Sequence, residues 1–234
     1  MHRYPACALA ACLLASVAIA DEPPTKEALG RVAGPQFSPY AGRNFPTRVF
    51  WGDTHLHTAV SVDAGTMNRV GQEDAFRFAR GEEVTSTGGL RAKLSRPLDF
   101  LVIADHAEMY GLMPQLLGGD PEVLATEAGK QWYGELTSGD TDRIFATAMK
   151  IVASLSGDVP PIKSEKAVRN AWQAYTALAD KYNDPGRFTA LIGFEWTAIG
   201  GNNLHRNVVF RGNAAVANRT LPYSQFDSKN PEDL

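Results

Sequence analysis

Residues 49–65 read VFWGDTHLHTAVSVDAG, with two histidines two positions apart at the end of an apolar run. Along an extended strand, side chains alternate faces. If residues 49–57 stay extended, Asp53, His55 and His57 project to one side, and Thr54 and Leu56 to the other. Two neutral imidazoles placed this way can converge on one zinc, manganese or iron ion. The competing reading is a pair of histidines satisfied by ordinary hydrogen bonds.

Two further segments bear on that choice. LDFLVIADHAE ends an apolar run in Asp105-His106-Ala107-Glu108. In α/β folds, charged clusters at the ends of buried strands are where sites are built. His106 is the ligand candidate there. Asp105 points to the opposite face if the strand continues, so it reads as a residue that orients a ligand from behind. Glu108 reads as a solvated loop residue. The third segment, RFTALIGFEWTAIGGNNLHRNVVF, places Glu195 at the end of an apolar run and His205 at the start of the next. An ionised carboxylate in that setting is costly unless paired or bound to metal, and Arg206 is the alternative partner for Glu195. His55, His57, His106 and His205 all fall at expected strand ends, a pattern that packing alone does not explain and that points to a metal site.

The elements that must position these residues follow from composition and period. Residues 47–53 read as a strand, 58–68 as a loop, and 70–80 as a short helix stopped by Gly81. Residues 81–93 read as a polar loop. The continuous apolar run LDFLVIAD fits a parallel strand covered on both faces. Residues 121–135, 140–156 and 163–182 carry helical spacing, with Trp172, Tyr175, Leu178 and Ala179 on one side of the last helix. Together they read as a helical insertion over about 111–187. RFTALIGFEW and RNVVFRG read as two more strands. Strands separated by helices or long crossovers predict an α/β architecture with parallel pairing. The chain stops at KNPEDL, which reads as the opening turn of a helix with Asn230 as cap and Pro231 at the first position, and suggests a fragment that ends before its fold is complete.

The N-terminus is a separate object. Arg3, the apolar stretch from about Ala6 to Ala20, and the small-x-small site at Ala18-Ile19-Ala20 have the layout of a secretory signal peptide over 1–20. The apolar run is shorter than a membrane span requires. Leu9-Ala10-Ala11-Cys12 also resembles a lipobox, but most of the apolar stretch lies beyond Cys12, so a lipoprotein ranks below a cleaved leader. The expected location is periplasmic or extracellular. Residues 21–46, rich in Pro, Gly and Ala, read as an N-terminal arm, and 47–234 as the domain that carries the candidate metal site. Both cysteines, Cys7 and Cys12, would leave with the leader, so an exported chain would depend on core packing or metal rather than disulfides. The net charge of −3 gives no basic surface of the kind nucleic acids or anionic membranes select. The expected partner is a small molecule, with no nucleic acid and no membrane span in the mature chain.

FWGDTHLHTAVSVDAG, DFLVIADHAE and the run from GFEW to LHRNVVFRG resemble the DUF3604 family, a group related to the polymerase-and-histidinol-phosphatase (PHP) superfamily. The resemblance spans residues 50–212. It implies a PHP-like distorted β/α barrel holding two or three divalent ions, with hydrolysis of a phosphorylated ester as the usual chemistry. Carried over by position, His55 and His57 bind one metal, Asp63 falls where the family has a histidine or aspartate ligand, and His106 matches the histidine of the family's T-D-H motif. Glu195 matches a carboxylate that bridges two ions, and His205 a later histidine ligand. The family's last motif, Asp-x-His, is absent, because no histidine follows His205.

On this reading, hydroxide generated on a metal is the nucleophile. Outside the expected leader the chain has no cysteine, and it carries neither a G-x-S-x-G motif nor a P-loop. Arg206 or Arg211 could neutralise a phosphate, or simply be solvated. Three functions are compatible with the residues: a phosphoesterase, a metal-dependent hydrolase of another ester, amide or sulfate bond, and a non-catalytic binding module stabilised by its ions.

Overall fold

The computed structural model describes residues 48–199 and 203–234. The expected leader over 1–20 and arm over 21–46 lie outside the described residues. From Val49 onward the chain forms one compact unit of mixed α/β architecture.

Four strands make the main sheet: β1 (Gly52–Leu56), β4 (Phe100–Ile103), β5 (Thr189–Ala198) and β6 (Leu204–Val209), in the order β1-β4-β5-β6. The first three run parallel, and β6 returns antiparallel to β5. All-parallel pairing was the expectation. The connection from Ala198 to Leu204 is too short for the crossover that parallel neighbours need, so β5 and β6 form a hairpin. The sheet curls like half a barrel. Asn207 Nδ2 of β6 donates to the Thr54 carbonyl of β1 at 2.8 Å, joining the two outer strands across the concave face.

The first strand starts later than its aromatic run suggests. Val49, Phe50 and Trp51 are exposed, and backbone pairing begins at Gly52 opposite Phe100. The segment expected to be a polar loop after Gly81 contains a small antiparallel pair, β2 (Val84–Thr85) and β3 (Arg91–Ala92). The loop after β1 contains a short helix, α1 (Ala64–Met67), with Asp63 as its cap.

The remaining helices are α2 (Gln72–Ala79), α3 (Leu112–Leu117), α4 (Pro121–Leu124), α5 (Glu127–Leu136), α6 (Thr141–Ser154), α7 (Glu165–Tyr182) and α8 (Ala214–Ala217). Of these, α2, α6 and α7 lie near their expected places, the segment 121–135 divides into α4 and α5, and the short helices α3 and α8 were not singled out. Asp120, Thr126, Asp140 and Ser164 each accept a first-turn backbone N–H, so α4 to α7 all begin at a side-chain cap. Pro231–Asp233 is a single 3-10 turn capped by Asn230, as its sequence predicts. Among the described residues no helix is long and apolar enough to cross a membrane.

The helical stretch 111–187 serves two cores. Helix α7 is the crossover between β4 and β5, and its Trp172, Tyr175, Ala179 and Tyr182 pack with Leu101, Ile103, Ile192, Phe194 and Trp196 on the convex face. Helices α3 to α6 gather around a second cluster of Leu112, Met113, Leu116, Val123, Trp132, Leu136 and Ile151, which also takes in Val62 and Met109 from the loops beside the sheet ends. Tyr175 fastens α7 to the sheet: its hydroxyl donates to the Ile103 carbonyl at 2.9 Å and accepts from the Gly193 N–H at 3.2 Å.

Candidate metal centre

The candidate side chains gather where the parallel strands β1, β4 and β5 end, with Asp63 at the cap of α1 and His205 on the returning strand β6. In β1, Asp53 pairs with Leu101 but Leu56 pairs with Ile103, so the strand carries one extra residue between them. Such a bulge re-aims side chains. Asp53 stays with Leu101, while His55 and His57, flanking Leu56, turn to the concave face. Simple alternation would have kept Asp53 with them. Instead its Oδ1 accepts the His55 N–H at 2.8 Å.

Beyond β4, the strand pairing with β5 resumes at a bridge between His106 and Glu195. That bridge places the two residues side by side. Across the hairpin, Glu195 pairs with Asn207 and Thr197 with His205, whereas Trp196 pairs with Arg206. Glu195, Thr197, His205 and Asn207 therefore share the concave face, and Arg206 lies on the other face with Trp196. The alternative pairing of Glu195 with Arg206 is thereby replaced by pairing with imidazoles.

Glu195 is fully buried and stands at the centre. Its Oε2 lies 3.1 Å from His55 Nε2 and 2.8 Å from His57 Nε2, and its Oε1 lies 2.5 Å from His205 Nδ1. His106 Nδ1 is 3.6 Å from Oε2. Asp63 sits between His57 and His106, 3.5 Å from His57 Nδ1 and 3.6 Å from His106 Nε2. Three donor sets result: His55, His57 and Glu195; His57, Asp63 and His106; His106, Glu195 and His205. The ligand atoms within each set lie within 4.8 Å of one another. His55, Asp63 and His205 are partly open to solvent, while Glu195 and His106 form the floor. All six residues singled out as metal ligands are thus brought together.

The electrostatics suit a cation. Burial, the largest influence on His57, works to depress it, yet hydrogen bonds to Asp63 and Glu195 outweigh burial and lift it to about 9. His106 is likewise lifted against burial, by Asp63 and Glu108, to about 10. Burial alone would raise Glu195, but the surrounding histidines hold it at about 2. Asp63 is held well below the usual carboxylate range by His106 and His57 against the same penalty. The carboxylates thus stay ionised, and protons on the imidazoles occupy the region that a divalent ion would neutralise. Imidazole and carboxylate donors together suit zinc, manganese or iron.

A family model described as a protein of unknown function (DUF3604) matches residues 44–234. The chain belongs to the DUF3604 family. No curated protein and no solved structure matches it.

Several residues of this DUF3604 site were not singled out by sequence. Ser61 Oγ donates to Asp63 Oδ1 at 2.6 Å, accepts the His106 N–H at 3.1 Å, and lies 2.9 Å from His57 Nδ1. It ties all three residues of one donor set together. Its position two before Asp63 was the available signal. Thr197 Oγ1 stands between His106 Nδ1 and His205 Nδ1, at 3.0 and 3.1 Å, and strand alternation from Glu195 could have found it.

Asp105 is fully buried and accepts from the Thr58 N–H at 2.6 Å, the Thr58 hydroxyl at 2.9 Å and Gln72 Nε2 at 2.8 Å. It fixes the loop directly after His57. Burial raises its pKa even against those hydrogen bonds. Glu108 corrects the sequence reading outright: it is fully buried rather than solvated.

Proposed function

We propose that this DUF3604 chain is a metal-dependent hydrolase, with a phosphoester as the bond its site suits best. The observation that carries the reading is Glu195, a buried carboxylate with one oxygen facing His55 and His57 and the other facing His205. A carboxylate shared in this way is how a protein holds two cations close together. When bound, such ions supply Lewis-acid polarisation and lower the pKa of a coordinated water towards about 7.

The chain's own residues do the rest. His55, His57, Asp63, His106, Glu195 and His205 are the donors. Ser61 and Thr197 hold the rings, and Asp105 holds the loop after His57. The partly open side formed by His55, Asp63 and His205 is where a small ester substrate would enter. The likeness of the H-x-H, A-D-H and G-F-E motifs to the PHP superfamily supports the phosphoester and, by extension, a PHP-like barrel. The leader-like N-terminus supports a periplasmic or extracellular location.

The test begins with elemental analysis of protein purified without chelator, beside a His55→Ala/His57→Ala control. It continues with turnover on chromogenic phosphomonoesters, phosphodiesters, sulfate esters and carboxyl esters. Near-stoichiometric metal and metal-dependent phosphoester turnover, both lost in the control, is the expected result. Turnover confined to sulfate or carboxyl esters would reassign the bond. Bound metal with no turnover would leave a binding module, and metal-free wild-type protein would remove the centre.

A further inference from the structure

Glu108 is a buried carboxylate for which the hydrolase reading has no task. Its Oε1 accepts the backbone N–H of Thr197 at 3.3 Å and of Gln225 at 3.0 Å. The strand that carries Glu195 and the turn near the C-terminus therefore both hold it. The next residue, Met109, has φ 53°, a left-handed conformation that few non-glycine residues adopt. Glu108 Oε2 has no hydrogen-bond partner among the described residues and lies 3.4 Å from His106 Nδ1. A buried carboxylate oxygen without a donor is unfavourable, and an imidazole N–H on that ring nitrogen is the donor within reach.

We propose that Glu108 is a positioning residue, which keeps the proton of His106 on Nδ1 and so presents an unprotonated Nε2 to the metal centre. The inference rests on the metal-centre reading above. Three oxygens surround Nδ1: Thr197 Oγ1 at 3.0 Å, Glu108 Oε2 at 3.4 Å and Glu195 Oε2 at 3.6 Å. Thr197 also faces His205, and Glu195 also faces His57. Of these three oxygens, Glu108 Oε2 alone has no other partner among the described residues. Nε2, at the far side of the ring, faces Asp63 Oδ2. A metal-binding histidine whose other nitrogen donates to a carboxylate has its tautomer and orientation fixed.

The test uses the full chain loaded with zinc, which is diamagnetic, and long-range proton–nitrogen correlation spectra of the histidine rings. In wild-type protein His106 should show a protonated Nδ1 and a metal-shifted Nε2. Glu108→Gln keeps the shape. Its amide oxygen can still accept the two backbone N–H groups, which turns its NH2 towards Nδ1 and sets donor against donor. The proton should then move to Nε2, and zinc affinity should fall about 10- to 100-fold.

A wild-type spectrum with metal on Nδ1, or a Glu108→Gln protein unchanged in both tautomer and affinity, would overturn the proposal. If Glu108→Gln fails to fold, the wild-type spectrum decides alone. Wild-type protein that takes up no zinc overturns the metal centre and this inference with it. Zinc bound beside an unprotonated Nδ1 overturns only the role of Glu108.

Discussion

Among single residues, Glu195 concentrates the chemistry, because it faces three imidazoles at 3.1 Å or less and no other acid shares its position. Replacing it with glutamine keeps the volume, removes the charge and halves the number of oxygen donors. Glu195→Gln should therefore weaken metal binding by more than the about 100-fold that loss of a supporting residue can cost. Metal content after dialysis against a calibrated zinc buffer measures it; retention at the wild-type level would show that Glu195 holds no ion. His55 gives a graded comparison. Its ring is half exposed and it belongs to only one donor set, so His55→Ala should lose one ion and leave the His57–Asp63–His106 set loaded. The six ligand candidates were legible in the sequence because four are histidines, of which the chain has only five, at strand ends, and the two acids, Asp63 and Glu195, lie in recognised motifs. Glu108 was not. Nothing in its immediate neighbours distinguishes a solvated loop acid from one buried by Thr197 and Gln225, which are remote in sequence.

The elements were legible to the extent that local pattern governs them. Helices α2 and α5 to α7 follow apolar spacing, α5 to α7 also begin at side-chain caps, and β4 and β5 follow continuous apolar runs. What escaped was decided by pairing. The start of β1, the bulge that separates Asp53 from His55, and the antiparallel return of β6 all depend on which backbone lies alongside. Two glycines test how tightly the elements are packed. A Cβ on Gly193 of β5 would meet Val102 Cγ1 at 2.6 Å and the Val208 carbonyl at 2.7 Å, so Gly193→Ala should destabilise the fold by about 1–3 kcal/mol. Gly134 lies in α5 with no atom within 4 Å of such a Cβ, and Gly134→Ala should stabilise by about 0.4–1 kcal/mol. Denaturant midpoints measure both. Equal effects of one sign would mean that β4, β5 and β6 are not packed this closely around Gly193.

For the whole molecule, the donor cluster joins β1, β4, β5 and β6, so its occupancy and the fold's stability are linked. Without metal, protons do part of the cation's work. His57 and His106 are raised from an ordinary value of 6.5 to about 9 and about 10. Their protonated forms therefore stabilise the fold fully below about pH 6.5, and that contribution is lost as pH rises through 9 to 10. Asp63 and Glu195 have the opposite sign. Their pKa values are depressed, so their contribution is present above the ordinary carboxylate range and is lost only as pH falls through the lowered values. Between pH 6.5 and 9.5, then, the metal-free protein should lose stability through its imidazoles alone. Metal binding runs the other way, because a ligand must shed its proton before it can coordinate, and affinity rises with pH over the same window. A ligand present at about 100 times its dissociation constant adds about 2.7 kcal/mol, which for a chain of this size is several degrees in melting temperature. The difference in melting temperature between zinc-loaded and chelator-treated protein should accordingly widen from pH 6.5 to pH 9.5. In Glu195→Gln protein the difference should be small at both. A difference that stays constant with pH in the wild type would mean that the ion, if bound, displaces no proton from His57 or His106, and the site would have to be built from other groups.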